Sequence, residues 1–423
     1  MDLKDNNQNY WQLASIQGAA LGLPGFLIGQ TLASQYGVGT ALVSLCISNL
    51  ILWVIALAMF SMTYKKKGHA GHAIQNVKAY LGGNSAIFAS IVLFTAFLSW
   101  FSIQIITQMT MVDYFLNHLS NWNSTTSIKS GAFCAFITTF VVMGGIRTIK
   151  WVCTIAFPLF FLYIAYVVLT NFHLLRTFEL RWQLSLAPIA VTIIALLPGI
   201  INLPTFFRHA RSRADGLLGL IFMTFFVIFV QFSSIWFQFT SINIPIFSPY
   251  SSSTGWTFDL TLILMFITLT TFCVNLVNVY FASAAIEMIK PRFANPRGYA
   301  VIGLIGTLIY GLFQVAPILS NIENLTNSLI ACLGITLLLS FLVQIIVRHR
   351  PRYLDKSISS GCWLIGIVTS IIYQVQDPSK PNIALLAGVA ATAFSFLFVI
   401  FIEESAWSWK HISTFERQKK KRK

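Results

Sequence analysis

Gly18-Ala-Ala-Leu-Gly22-Leu-Pro24-Gly25-Phe-Leu-Ile-Gly29-Gln30 and Ala195-Leu-Leu-Pro198-Gly199-Ile-Ile-Asn202-Leu-Pro204 are the two stretches on which the reading of the fold turns. Each lies inside an apolar run long enough to cross the hydrocarbon core of a bilayer, which takes about 20 helical residues. Proline removes a backbone donor and glycine carries an entropic cost in a helix, so this density of both predicts an interrupted helix in each place. Both interruptions come about 12 to 13 residues into their runs, close to the bilayer midplane at 1.5 Å per residue.

Around these two stretches the whole chain has the composition of a membrane protein. Of its 423 residues 56% are hydrophobic and only 10% charged, where soluble domains carry about 25% charged residues. Apolar runs fall at 12–34, 39–63, 86–112, 131–145, 151–170, 185–206, 215–237, 259–285, 298–317, 323–347, 359–375 and 382–403, which predicts an all-α membrane protein with twelve transmembrane helices. A soluble enzyme is excluded. A membrane enzyme lacks its signatures too, since there is no HExxH, no GxSxG and no paired carboxylate inside a run. The six cysteines all lie in apolar stretches with no CxxC spacing and read as small hydrophobes.

The formal charge of +15 would suggest nucleic-acid binding in a soluble protein. With the amino terminus placed inside, 24 of the 28 Lys and Arg residues fall in inner loops and the two tails. That bias is the positive-inside pattern, so the charge records orientation: no nucleic-acid partner, both termini cytoplasmic, and a multi-pass protein of the plasma or inner membrane. The KKKRK ending reads as a juxtamembrane tail.

The first and sixth runs then point in opposite directions and stand five spans apart. Paired broken helices in opposed halves are the sequence pointer to a secondary transporter whose site lies at the repeat interface. The expected plan is a cytoplasmic segment 1–11, a first inverted repeat 12–170 (helices 1–5), a second 185–347 (helices 6–10), two further helices 359–403 and a basic tail 404–423. The breaks at helices 1 and 6 would expose backbone groups that must face protein or a wet cavity.

Few polar groups remain at depth. All seven histidines lie in loops or at span ends, and Asp113 and Glu323 stand near outer boundaries. A coupling ion must therefore be held mostly by neutral oxygens. Span 8 supplies them in Thr268-Leu-Thr270-Thr271-Phe-Cys-Val-Asn275-Leu-Val-Asn278. The adjacent hydroxyls of Thr270 and Thr271, beside loose carbonyls of span 1, suit sodium; back-bonding to their own helix is the alternative use of a membrane threonine. In span 3, Trp100 and Gln104 are four apart and share a helical face. A flat indole with a carboxamide one turn away can stack on a planar ring and hydrogen-bond its edge; helix packing is the other reading.

These residues resemble the nucleobase:cation symporter family of cytosine, purine and hydantoin permeases, built on the LeuT-type fold. The likeness covers most of the chain and is carried by Leu23-Pro-Gly-Phe-Leu-Ile-Gly-Gln30, Ile47-Ser-Asn49, Asn76-Val-Lys with Gly82, Ser99-Trp100-Phe-Ser-Ile-Gln104, Asn202-Leu-Pro204, Phe207-Arg208, Leu269-Thr270-Thr271-Phe-Cys-Val-Asn275 and Ile322-Glu-Asn-Leu. The resemblance implies a five-plus-five inverted repeat with two additional helices. It implies that Trp100 stacks on the substrate ring, that Gln104 and Asn275 hydrogen-bond it, and that Gly25 and Asn278 border it. It further implies sodium held by Thr270 and Thr271 with the backbone carbonyls of Gly22 and Gly25, and no other cofactor.

Two positions depart from the family pattern. Ala195 and Leu196 occupy the break of span 6 where an aromatic or small polar group is usual, so one wall of an aromatic sandwich is missing. Thr205 stands where an acidic residue commonly follows the proline, which affects how the inner end of span 6 is anchored. The expected function is uptake of a small neutral planar heterocycle, a nucleobase such as cytosine or a purine or a related compound, by sodium symport with alternating access. A proton-coupled permease using Glu323 or Asp113, or an amino-acid transporter of the same fold, is the alternative.

Overall fold

The computed structural model describes residues 8–64, 72–116, 123–170, 182–243, 258–316, 321–346, 356–378 and 380–421. The predicted loop cations Lys65, Lys66, Lys67, Arg176 and Arg181, and most of the 1–11 segment, lie outside them. Fourteen α-helices account for nearly all of it: α1 Tyr10–Tyr36, α2 Val38–Thr63, α3 Ala73–Leu81, α4 Gly83–Leu116, α5 Ser124–Val142, α6 Gly145–Thr170, α7 Leu186–Ile201, α8 Leu203–Phe207, α9 Arg213–Asn243, α10 Phe258–Ile286, α11 Pro296–Val315, α12 Asn321–Ile346, α13 Lys356–Gln376 and α14 Pro381–Lys421. Among the described residues eleven segments are long and apolar enough to span a membrane, with α7 and α8 together forming one. The lateral surface is correspondingly apolar, with Phe133, Phe140, Trp151, Leu308 and Phe401 each more than half exposed, as a hydrocarbon solvent permits and water does not.

The first helix corresponds to the predicted run 12–34. Its 27 residues include four glycines and four glutamines, and it packs against α2, α6, α7, α9 and α10. A helix surrounded by protein on most sides can carry a lower hydropathy than one facing lipid.

The neighbours of the helices repeat under a shift of five spans, which exchanges α1 with α7, α2 with α9, α4 with α10, α5 with α11 and α6 with α12. Thus α1 packs on α9 as α7 packs on α2, α1 on α6 as α7 on α12, and α10 on α6 as α4 on α12. This is the five-plus-five plan, with α13 and α14 packed on α12 as the additional pair. The exchange fails in one place that matters: α1 packs on α10, whereas among the described residues α7 makes no comparable contact with α4.

The interruptions differ from expectation. The helix α1 is continuous through Leu23, Pro24 and Gly25, so the predicted break of helix 1 is not present. Its glycines serve close packing instead. Gly18, Gly22, Gly25 and Gly29 follow a 4-3-4 spacing, which aligns them as one stripe. A Cβ at Gly18 would overlap the Phe157 ring, and one at Gly29 would overlap the Ser234 hydroxyl and the Gln231 carbonyl. Small residues in such a stripe let backbones approach closely. Pro24 removes a single bond, the one to the Ala20 carbonyl.

In the sixth span the break is real but lies at Asn202, between α7 and α8, and not at Pro198-Gly199. Pro204 cannot donate to Ile200 and disfavours helical backbone just before it. Asn202 closes the gap locally, its Nδ2 donating to the Pro198 carbonyl at 3.0 Å and its carbonyl accepting from the Thr205 N–H at 2.9 Å.

Two further differences are local. The predicted loop before span 3 contains α3, a nine-residue helix whose apolar side packs on α4, α12 and α13. The last span continues as helix to Lys421, past the predicted end at 403, because nothing from Glu403 onward is a helix breaker; Arg422 and Lys423 lie outside the described residues.

Candidate functional site

Helix α4 presents Trp100, Gln104 and Gln108 on one face, each four residues from the next. Trp100 and Gln104 are half-buried and Gln108 is buried. The indole N–H of Trp100 donates to Asn327 Oδ1 of α12 at 3.1 Å. Its ring meets Phe97 edge-on, with centroids 5.4 Å apart. The Gln104 Oε1 is buried and has no hydrogen-bond partner, a condition that costs about 1–3 kcal/mol unless a ligand or water supplies a donor.

On α10, which packs on both α4 and α1, Thr271, Asn275 and Asn278 are all buried. The Thr271 hydroxyl has no partner, while Thr270 back-bonds to Phe266 and Ile267 at 2.6 and 3.0 Å. That commits the Thr270 proton and leaves its lone pairs available. Asn278 Nδ2 donates to Asn275 Oδ1 at 3.2 Å, which leaves the Asn275 amide N–H groups directed elsewhere. Asn275 and Gln108 share a wall of a cavity of about 670 Å³ between α4, α5 and α10, whose other walls are largely apolar. A mostly apolar space of this size with a few placed amides is the usual form of a small-molecule site.

Of the expected sodium ligands, Gly22 lies beside Thr270 through the threonine methyl, since a Cβ on Gly22 would lie 3.4 Å from Thr270 Cγ2. Gly25 is turned away, toward Val230 and Gln231 of α9 at 3.7 and 3.8 Å. Because α1 is not unwound, the carbonyls of Gly22 and Gly25 lie inside a continuous helix, and the carbonyl that lacks its helical donor is that of Ala20. Of the pair in span 6, Ala195 is exposed. Leu196 is buried and lines a separate water-sized space with Leu21 and Asn49, so it is not brought to Trp100.

Three polar residues were not picked out from sequence. Gln108 continues the four-residue spacing from Trp100 and was legible by that rule. Asn327 and Gln231 are lone amides in apolar stretches; Gln231 accepts from Asn49 Nδ2 at 2.7 Å and ties α2 to α9, which gives the family-like Asn49 a structural task.

The end of α8 answers the question raised by Thr205. Arg208 pairs with Glu287 at 2.9 Å and donates to the Tyr280 hydroxyl at 3.0 Å, and His209 also meets that hydroxyl. The chain before α1 joins in, with Gln8 N–H donating to the His209 carbonyl at 3.0 Å and Gln8 accepting from the Arg211 N–H at 2.9 Å. Burial, reinforced by Arg208, pushes the His209 imidazole down to about 3. His72 is pushed down to about 4 by burial and by Arg208, with Glu287 opposing. Both rings are neutral at pH 7.

The fold is shared with solved membrane-transporter structures. The chain is similar to Mhp1, a nucleobase-cation-symport-1 family transporter solved with bromovinylhydantoin bound, at TM-score 0.60 and 15% identity over 95% of each chain. It is also similar to a Na+-coupled sialic acid symporter, at TM-score 0.66 and 13% identity over 93% of this chain and 90% of that one. MhsT in complex with L-phenylalanine matches at TM-score 0.61 and 13% identity over 93% and 98%. No family model and no curated protein matches the sequence.

Proposed function

We infer that the chain is a secondary active transporter that imports a small, neutral, planar heterocycle, a nucleobase or a related compound, by sodium symport with alternating access. The carrying observation is the face of α4: a half-buried indole one turn from a buried carboxamide oxygen with no partner, continued by Gln108, which shares a cavity wall with Asn275 of α10. Such a face offers stacking to a ring and an acceptor to a ring N–H. Sodium would sit in the seam of α1 and α10, with the Thr270 and Thr271 oxygens, the Ala20 carbonyl and groups near Gly22; the unpartnered Thr271 hydroxyl supports this. The Arg208 cluster at the end of α8 tethers the inner end of the sixth span.

Three observations lie behind the wider reading. The fold is shared with structures whose names record a hydantoin, sialic acid with Na+, and an amino acid. The neighbour exchange supports repeats at 12–170 and 185–347, and the Lys and Arg bias supports cytoplasmic termini in a plasma or inner membrane. Membership of the nucleobase:cation symporter family rests on the quoted motifs. An amino-acid substrate would need an acidic or carbonyl group for its ammonium. A thermal-shift screen of nucleobases, hydantoins and amino acids, with and without sodium, tests the reading. A planar heterocycle should raise the midpoint only with sodium and not in Trp100→Ala; stabilisation by amino acids alone would reassign the substrate.

A further inference from the structure

Helices α6 and α11 each carry a stripe of exposed apolar side chains that ends in a cation. On α6 the stripe runs from Leu162 through Ile155 and Trp151 to Arg147, and on α11 from Leu308 through Leu304 and Val301 to Arg297, all of them exposed. Steps of three, four or seven residues keep each set on one helical face. Both helices are membrane spans, and Arg147 and Arg297 stand in their first turns, so the cations lie at the membrane edge and the stripes continue into the hydrocarbon. The two edges adjoin, since a Cβ on Gly145 would lie 3.4 Å from the Tyr299 ring in the first turn of α11. Half-buried Lys150 follows Arg147 by three residues. Before α11, a 3₁₀ turn at Pro291–Phe293 adds exposed Lys290 and Arg292, and the Ser283 hydroxyl holds it to α10 by donating to the Phe293 carbonyl at 2.7 Å.

These five cations have no acidic counterpart. The chain carries no Asp or Glu between Asp113 and Glu179 or between Glu287 and Glu323, and Glu287 is committed to Arg208 at 2.9 Å. None of the five forms an ion pair among the described residues. Gathered like charges favour an anion that neutralises them. A phosphodiester suits them, because a guanidinium takes two of its oxygens at once, and Trp151 stands beside them as indoles do at the headgroup level. A free phosphate would leave the apolar stripes unused, while a zwitterionic headgroup would bring its own ammonium against the cations.

We propose that this edge of α6 and α11 binds an anionic phospholipid. Arg147, Lys150 and Arg297 hold its phosphate, Lys290 and Arg292 add to the attraction, and its acyl chains lie along the two stripes. The lipid sits outside the substrate site, so its binding is independent of what is transported.

The test uses the full chain in neutral detergent, offered phosphatidylglycerol and phosphatidylcholine of equal chain length, with the retained lipid counted by native mass spectrometry. Three contacting cations at about fivefold each give an expected preference for phosphatidylglycerol of about a hundredfold. Arg147→Gln with Lys150→Gln and Arg297→Gln should bring it close to parity. The same charge change in the tail, Lys419→Gln with Lys420→Gln and Lys421→Gln, should alter it by less than about threefold. Thermal midpoints in phosphatidylcholine within a few degrees of the parent establish that the variants are folded; if the first triple variant is not, Arg147→Gln and Arg297→Gln singly should each lose about fivefold. A parent without the preference overturns the proposal, and so does an equal loss in the two triple variants, because net charge alone then sets it. Inorganic phosphate in excess should leave the lipid bound; displacement by phosphate makes the surface a free-anion site and overturns the lipid assignment.

Discussion

Alanine placed at Gly22 and at Gly29 should have opposite effects on stability, although both are glycines of the same stripe on α1. At Gly22 the added methyl finds Thr270 Cγ2 at 3.4 Å and Phe160 at 3.8 Å, which is ordinary packing distance. The gain is the helix preference of alanine over glycine, about 0.5–1 kcal/mol. At Gly29 the methyl would overlap the Gln231 backbone carbonyl as well as the Ser234 hydroxyl. A backbone atom in a packed helix cannot step aside, so the cost is that of overpacking, about 1–3 kcal/mol. Thermal unfolding of the two purified variants in the same detergent reads the difference directly. Gly22→Ala should hold or raise the midpoint and Gly29→Ala should lower it by several degrees. The same Gly22 methyl narrows the seam between α1 and α10, so the more stable variant should lose stabilisation by sodium. If Gly22→Ala unfolds as early as Gly29→Ala, α1 is not a continuous packed helix and the account of its glycines is wrong.

Thr271→Val keeps the volume and removes an unpartnered hydroxyl, so it should weaken sodium-dependent stabilisation about tenfold in apparent affinity with little change in the sodium-free midpoint, measured by titrating sodium in a thermal-shift assay. Arg208→Met strands Glu287, which is only 23% exposed on its side chain, and should cost about 2–3 kcal/mol; a midpoint unchanged from the parent would show that the cluster does not hold α8 to α10. Acid should destabilise the protein through His72 and His209. Their folded pKa values of about 4 and about 3 lie below the ordinary 6.5, so the unfolded chain binds protons first, stability is complete above about 6.5, and it falls as pH drops toward the folded values. Each ring contributes about 1.4 kcal/mol of loss per pH unit in that window, and His209→Gln should flatten the pH dependence of the midpoint between pH 6.5 and 5.

The placement of the helices was legible in sequence because length and hydropathy act locally, and bilayer thickness sets the rest. Helix interruption was less legible. Gly22, Pro24 and Gly25 carry the same composition whether a helix unwinds or packs tightly, and only the position of α9 and its Gln231 carbonyl decides between them. The 4-3-4 spacing of the stripe was the available signal. In span 6 the interruption shifted to Asn202 because Pro204 acts on the residues before it and Asn202 can close the exposed ends with its own side chain.

Within the site, the shared face of Trp100 and Gln104 follows from helical periodicity and extends without further information to Gln108. Leu196 shows the limit of that reasoning. One residue of rotation separates it from Ala195, and a break placed by composition alone cannot say which of the two is turned toward α1 and α2. Asn327 lay beyond reach for another reason, since its partner is 227 residues away in sequence and no local pattern pairs an amide in α12 with an indole in α4.

Uptake into proteoliposomes containing the purified chain tests the central claim most directly. With an inward sodium gradient and radiolabelled nucleobases or hydantoins supplied in turn, at least one should accumulate above its external concentration, and collapsing the gradient or introducing Trp100→Ala should abolish accumulation. Concentrative uptake that persists without sodium would contradict the coupling, and no uptake of any planar heterocycle, with an amino acid accumulating instead, would contradict the substrate.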